Sequence, residues 1–248
     1  MAGHSKWANI KFRKAAQDAK RGKIFTKLIR EITVAARTGG GDADANPRLR
    51  TAIDKALAAN MNKDVIERAI KRGTGDLDGV NYEEVRYEGY APGGIAVLVE
   101  CATDNRNRTV GEVRHAFTKH GGNLGTDGSV AYLFNKVGII RFPCEKNEEK
   151  IMEVAVDAGA QDIITEEDGG IEVVTSVEAF HSVQASLADN GLLSEEADLV
   201  QRATTEIALN EDDGIKVLKL LDALDDLDDV QEVYSNADFP ESLLSEAG

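Results

Sequence analysis

VGIIRF (137–142), EEKIMEVAVDA (148–158), DIIT (162–165), IEVVT (171–175), VEAFHSVQASLADN (177–190) and LVQRA (199–203) follow one another with short polar breaks between them. The first, third, fourth and sixth are short runs rich in Val, Ile and Leu, which suits strands. The second and fifth repeat apolar residues every three or four positions, which suits amphipathic helices. The resulting order, β-α-β-β-α-β, is the split βαβ plan of a ferredoxin-like domain.

The flanking segments repeat the plan. Residues 95–101 read as a strand, 109–119 as a helix and 130–134 as a strand; after the central block, 205–209, 212–227 and 230–234 read as strand, acidic helix and strand. Joined across the block, they again spell β-α-β-β-α-β. The simplest account is one ferredoxin-like α+β domain inserted into another, with a tail from residue 238 that frays.

Residues 1–72 follow a different grammar, with no alternating patterns and an excess of Ala, Lys, Arg, Ile and Leu. On a helical wheel over residues 23–37, Ile24, Phe25, Leu28, Ile29, Ile32, Ala35 and Ala36 share one face. Lys23, Lys27, Arg30 and Arg37 share the other, with Val34 intruding. Gly39-Gly40-Gly41 ends that helix, Asn46-Pro47 opens a second, and Asn62 caps a third. The segment 73–81 (GTGDLDGVN) has the composition of a linker. The expected organisation is α+β and multidomain: a small helical domain over residues 1–72, a linker at 73–81, a discontinuous domain of 82–135 plus 204–238, and an inserted domain of 136–203.

The formal net charge of -15 argues against nucleic acid only as an average. Residues 1–72 hold 17 Lys and Arg against 7 Asp and Glu, leaving 12 against 37 for the rest. Such asymmetry points to a nucleic-acid contact at the basic end. Lys6, Lys11, Arg13, Lys14, Lys20, Arg21, Lys23, Lys27 and Arg30 have Asp18 as the only acid among them. Cations gathered on one surface neutralise phosphates and give affinity without sequence readout. His4 and Trp7 lie among them and can stack on bases if exposed. Charge reversal at Lys11, Lys14, Arg21 and Lys27 is expected to abolish binding and leave the fold intact.

In the acidic body, Arg106 and Arg108 form the densest positive spot, within Asp104-Asn105-Arg106-Asn107-Arg108-Thr109, where Asn107 can cap the following helix. The glycine-rich run 121–129 follows a helix instead of opening one and lacks Gly-Lys-Ser/Thr, so it reads as a helix end and tight turn, not a phosphate loop. Asp225-Asp226 and Asp228-Asp229 read as a solvated helix end. Cys101 and Cys144 read as buried free thiols. The four histidines have no metal-ligand spacing, and no catalytic constellation is signalled, so neither a metal, a cofactor, a small-molecule substrate nor an enzymatic activity is expected. No apolar run is long enough to span a bilayer, and no signal peptide is evident, so the expected location is the cytoplasm.

Ala2-Gly3-His4-Ser5-Lys6-Trp7, the run 14–21 (KAAQDAKR), Glu88-Gly89-Tyr90 with Pro92-Gly93-Gly94, the run 104–109 and Gly121-Gly122-Asn123-Leu124-Gly125 closely resemble the YebC family. That family includes bacterial proteins called probable transcriptional regulators and the mitochondrial translational activator of cytochrome oxidase subunit I. The resemblance covers nearly the whole chain. It implies a helical N-terminal domain, two α+β domains, and a cytoplasmic, cofactor-free regulator of gene expression. The expected function is that of a DNA-binding transcriptional regulator, acting as a monomer. The alternative is a ribosome-associated translation factor that presents residues 3–21 to ribosomal RNA and relieves stalling at difficult sequences such as consecutive prolines.

Overall fold

A computed structural model describes residues 21–143, 147–166, 169–240 and 242–243. The chain divides into two compact units: residues 1–133 with 205–248, and residues 134–204.

Among the described residues the first unit begins with three helices: α1 (Arg21–Gly39), α2 (Pro47–Ala58) and α3 (Lys63–Thr74). Their limits follow from capping. Gly40 takes the left-handed conformation after α1 (φ 87°). The Asn46 carboxamide oxygen accepts from Leu49 N at 3.1 Å and precedes Pro47, and that of Asn62 accepts from Asp64 N at 2.9 Å. Ile32, Ala35, Ala36, Leu49, Ala52, Ala56, Met61, Ile66 and Ala69 form the core between them. Gly73 belongs to this packing and not to a linker. It is buried, and a Cβ there would lie 2.4 Å from Thr33 O and 2.7 Å from Ala36 Cβ. The composition of 73–81 hid a close helix crossing at its first residue.

The sheet of this unit contains β1 (Glu83–Tyr90), β2 (Ala96–Thr103), β3 (Asn123–Leu124) and β9 (Val230–Ser235), ordered β3-β1-β2-β9. All neighbours are antiparallel, so β2 and β3 run parallel with β1 between them, and β1 and β9 run parallel with β2 between them. That is the ferredoxin-like arrangement with two strands drawn from unexpected places: β3 takes the outer slot expected for residues 130–134. The slot beside β2 expected for residues 205–209 is filled by β1. A five-residue connection through Pro92–Gly94 delivers β1 to β2 as an antiparallel hairpin. Within 205–209, β8 (Ile207–Ala208) pairs instead with β10 (Ala237–Asp238), in parallel. Phe239 and Leu243 are buried just beyond, so the chain stays packed past residue 238. Helices α4 (Arg106–Lys119) and α7 (Glu211–Asp225) cover one face of the sheet through Val113, Phe117, Val217, Leu220, Leu221 and Leu224.

The second unit has β4 (Phe134–Phe142), α5 (Glu148–Asp157), β5 (Asp162–Thr165), β6 (Ile171–Thr175), α6 (Phe180–Asp189) and β7 (Glu196–Ala203), with the antiparallel order β5-β6-β4-β7. This is the β-α-β-β-α-β plan in sequence order. Ile140, Phe142, Ile151, Ile171, Val173, Phe180, Val183 and Leu187 form its core. The strand expected at 130–134 is a 3-10 turn (Ala131–Leu133), and β4 starts only at Phe134. On the sheet, Glu172 is buried between Arg141 (3.2 Å) and Arg202 (3.3 Å), and Arg141 also reaches Glu196 at 2.6 Å. Burial pushes the Glu172 carboxyl above its ordinary range despite these arginines. Among the described residues, no helix is long and apolar enough to cross a membrane.

Candidate nucleic-acid interface

The cationic face of α1 meets the rest of the first unit. Lys23 Nζ contacts Asp226 Oδ1 at 3.1 Å, Lys27 Nζ contacts Asp225 Oδ1 at 2.9 Å, and Arg30 Nη1 contacts Asp229 Oδ1 at 2.7 Å. The same three side chains donate to the carbonyl oxygens of Asp226, Asp225 and Asp228. These carbonyls lie at and just beyond the C-terminus of α7, where a helix leaves acceptors unpaired and its dipole favours cations. Arg37 donates to Tyr82 O at 2.6 Å. Val34, which looked misplaced on a basic face, is buried. The two faces of α1 are therefore one apolar face for the helical core and one ionic face for the sheet end.

Asp229 is the centre of this contact, with only 1% of its surface exposed. Arg108 Nη2 approaches its Oδ2 at 2.7 Å and its Oδ1 at 2.9 Å, the Thr103 hydroxyl donates to Oδ2 at 3.1 Å, and Thr109 Oγ1 lies 2.8 Å from Oδ2. Burial opposes ionisation, but the hydrogen bonds from Arg108, Thr109, Arg30 and Thr103 hold its pKa below the ordinary aspartate value. The acid cluster at 225–229 is thus an ion-pairing site, and the expectation of a solvated helix end is corrected. Helix capping is corrected too: Asn105, not Asn107, caps α4, accepting from Arg108 N at 3.1 Å.

The glycine-rich run is organised around an internal anion. Glu88, buried on β1, accepts from Gly128 N at 2.8 Å and from Val130 N and Ala131 N at 2.7 Å each. Burial works against its charge, yet these three N–H groups keep its pKa below the usual range. The backbone donors that a phosphate would need are occupied by a carboxylate of the same chain. Cys101 is buried, and burial together with Asp229 pushes its thiol up to about 12.

The residues first expected to contact nucleic acid divide three ways. His4, Lys6, Trp7, Lys11, Arg13, Lys14 and Lys20 lie outside the described residues, as does the side chain of Arg21; Cys144 does also. Lys23, Lys27, Arg30 and Arg108 are brought together around the aspartates. Arg106 is exposed at the start of α4. Sequence reasoning missed the outward cations of α3: Lys63, Arg68, Lys71 and Arg72 are exposed opposite the buried stripe of Ile66, Ala69 and Gly73. The 3.6-residue period of that stripe is the signal that would have found them.

A cation-rich helical domain ionically docked on an α+β body, with no metal-holding group of His, Cys, Asp or Glu among the described residues, defines a class of charge-segregated, multidomain α+β proteins. Residues 5–76 match the TACO1/YebC protein N-terminal domain and residues 82–237 the TACO1/YebC second and third domain, so the chain belongs to the TACO1/YebC family. Over 100% of both chains it is 64% identical to a probable transcriptional regulatory protein of Methylococcus capsulatus and 65% identical to one of Nitrosococcus oceani. The crystal structure of a conserved hypothetical protein from Aquifex aeolicus superposes with a TM-score of 0.82 at 50% identity, covering 90% of this chain and 92% of that one. The chain is a regulator of this family.

Proposed function

We propose that the protein is a non-enzymatic, cytoplasmic regulator of gene expression that works by binding nucleic acid through its N-terminal domain. The observation that carries this reading is the segregation of charge, with nine Lys and Arg against one acid in residues 1–30 of a chain whose net charge is -15. The names of its relatives speak of transcription, which makes DNA one target.

A specific observation favours a second target, ribosomal RNA. Lys23, Lys27 and Arg30 are engaged by Asp226, Asp225 and Asp229, so α1 does not offer its basic face to a major groove. Contact then falls to residues 3–21, a short basic segment carrying His4 and Trp7. Phosphate neutralisation and stacking of that kind suit an irregular RNA surface better than groove readout.

Crosslinking in cells, followed by sequencing of the attached nucleic acid, tests both. Discrete promoter DNA supports transcriptional control, and ribosomal RNA supports action on translation. Recovery of neither above background overturns the nucleic-acid reading. Charge reversal at Lys11, Lys14 and Arg21 should abolish the crosslinks.

A further inference from the structure

The acidic body carries a stretch of opposite sign. Residues 105–126 hold four Lys and Arg against a single acid, Glu112, whereas the remainder of 73–248 holds 8 against 36. Most of this stretch is α4. Its Thr109, Val113, Ala116 and Phe117 are buried against the sheet, which turns Asn107, Gly111, Arg114, His115 and Thr118 outward; all five are exposed, and Glu112 is exposed at the edge of this face on the side of Lys119. Arg106 and Lys119 are exposed at its two ends.

Gly111 sits in the middle of that outward face. A glycine inside a helix is less favourable than alanine, so it needs a reason. The fold supplies none: its φ is not positive, and a Cβ at Gly111 would meet nothing within 4 Å. A missing side chain there leaves the helix backbone open to close approach by another molecule's backbone.

We infer that the outward face of α4 is a second nucleic-acid surface, taking the sugar-phosphate backbone of double-helical RNA. This rests on the nucleic-acid reading above and adds a site to it. The partner is identified by charge and shape together. Arg106, Arg114 and Lys119 supply phosphate contacts at the ends and side of a face about 16 Å long between Asn107 and Thr118. Its middle is short and polar, with the amide of Asn107 and the hydroxyl of Thr118 beside the bare backbone of Gly111. The wide, shallow minor groove of an A-form helix, lined with 2′-hydroxyls, accepts such a face. The deep major groove of B-DNA requires long side chains at the crest of a helix to reach base edges, and Gly111 removes that crest. Helices α4 and α1 also meet at one carboxylate. Arg108, on α4, and Arg30, on α1, grip the same Asp229, and Arg21 lies only about 13 Å along α1 from Arg30.

The test is binding of the full chain to a 20-base-pair RNA duplex of arbitrary sequence, and to the DNA duplex of the same sequence, over a range of salt. Arg114→Gln with Lys119→Gln should weaken RNA-duplex binding about tenfold and lower the slope of log affinity against log salt by about 2. Gly111→Ala should weaken it severalfold while raising the melting temperature, a combination that a purely structural glycine does not give. Unchanged affinity and slope in the double variant, wild-type binding by Gly111→Ala, or an equal loss on DNA overturns the proposal. Loss only when Lys11 and Lys14 are reversed overturns this surface and leaves the N-terminal reading standing. Failure of the wild-type chain to bind either duplex overturns the α4 surface, while the cellular crosslinks judge the broader reading separately.

Discussion

Replacing Asp229 by Ala removes the carboxylate that joins α1, α4 and the start of β9. The cost is set by what is left behind. Arg30, whose side chain is 12% exposed, keeps its bonds to Ala102 O (3.1 Å) and Asp228 O (2.6 Å) but loses its counter-charge. Breaking a buried pair by removing one partner costs about 3–5 kcal/mol. Arg108 is 43% exposed and retains Asp104 at 2.7 Å, so it rehydrates and adds little, roughly 0.5 kcal/mol. Thr103 and Thr109 lie 2.7 Å apart and can satisfy one another. The retained bonds put the total near the lower limit, about 3 kcal/mol. Urea unfolding of the full chain, followed by circular dichroism, reads this directly. A double-mutant cycle with Arg30→Met should return a coupling of about 2 kcal/mol, since the two side chains are in contact. A loss below 1 kcal/mol for Asp229→Ala, or additive single variants, would refute the view that this ion pair holds α1 to the sheet.

Gly73→Ala forces a methyl to within 2.4 Å of Thr33 O and should destabilise the helical domain by about 2 kcal/mol, measurable as a fall in the urea midpoint. Glu88→Gln turns one acceptor oxygen toward backbone N–H groups into a donor; it should cost about 2 kcal/mol and speed amide exchange at Gly128, Val130 and Ala131. The carboxyls of Asp229 and Glu88 are both depressed in the folded chain, so their contribution is complete above the ordinary carboxylate values of about 4 and is lost as pH falls through the folded values. Stability of the first unit should therefore drop below about pH 4, and Asp229→Asn should flatten that acid limb in pH-dependent melting. Cys101, with its thiol pushed up to about 12 by burial, should resist alkylation in a folded Cys144→Ser chain at pH 8 and react only on unfolding.

The inserted domain was legible strand by strand because its pattern is local. Apolar runs such as 137–142 and 171–175 and the helical spacing of 148–158 each state their own period, and the observed connectivity follows sequence order. The helix caps at Asn46 and Asn62 were legible for the same reason. The outer sheet was not read correctly in full. Residues 83–90 take the place beside β2 expected for 205–209, and β8 within that segment pairs with β10 instead, a choice of partner that no local period states.

The candidate site shows the same division at the level of charge. Sequence alone determined that cations crowd into residues 1–72, that they share a face on α1, and that the body is acidic, because composition and helical period are properties of the chain itself. Tertiary structure decided which of those cations are spent. Lys27 was expected to be dispensable for the fold, yet it lies 2.9 Å from Asp225, nearly two hundred residues away. A lysine that holds two domains together and one that waits for a phosphate are the same letter at the same period. They differ only in whether folding brings an aspartate within reach, and that depends on where α7 ends in space.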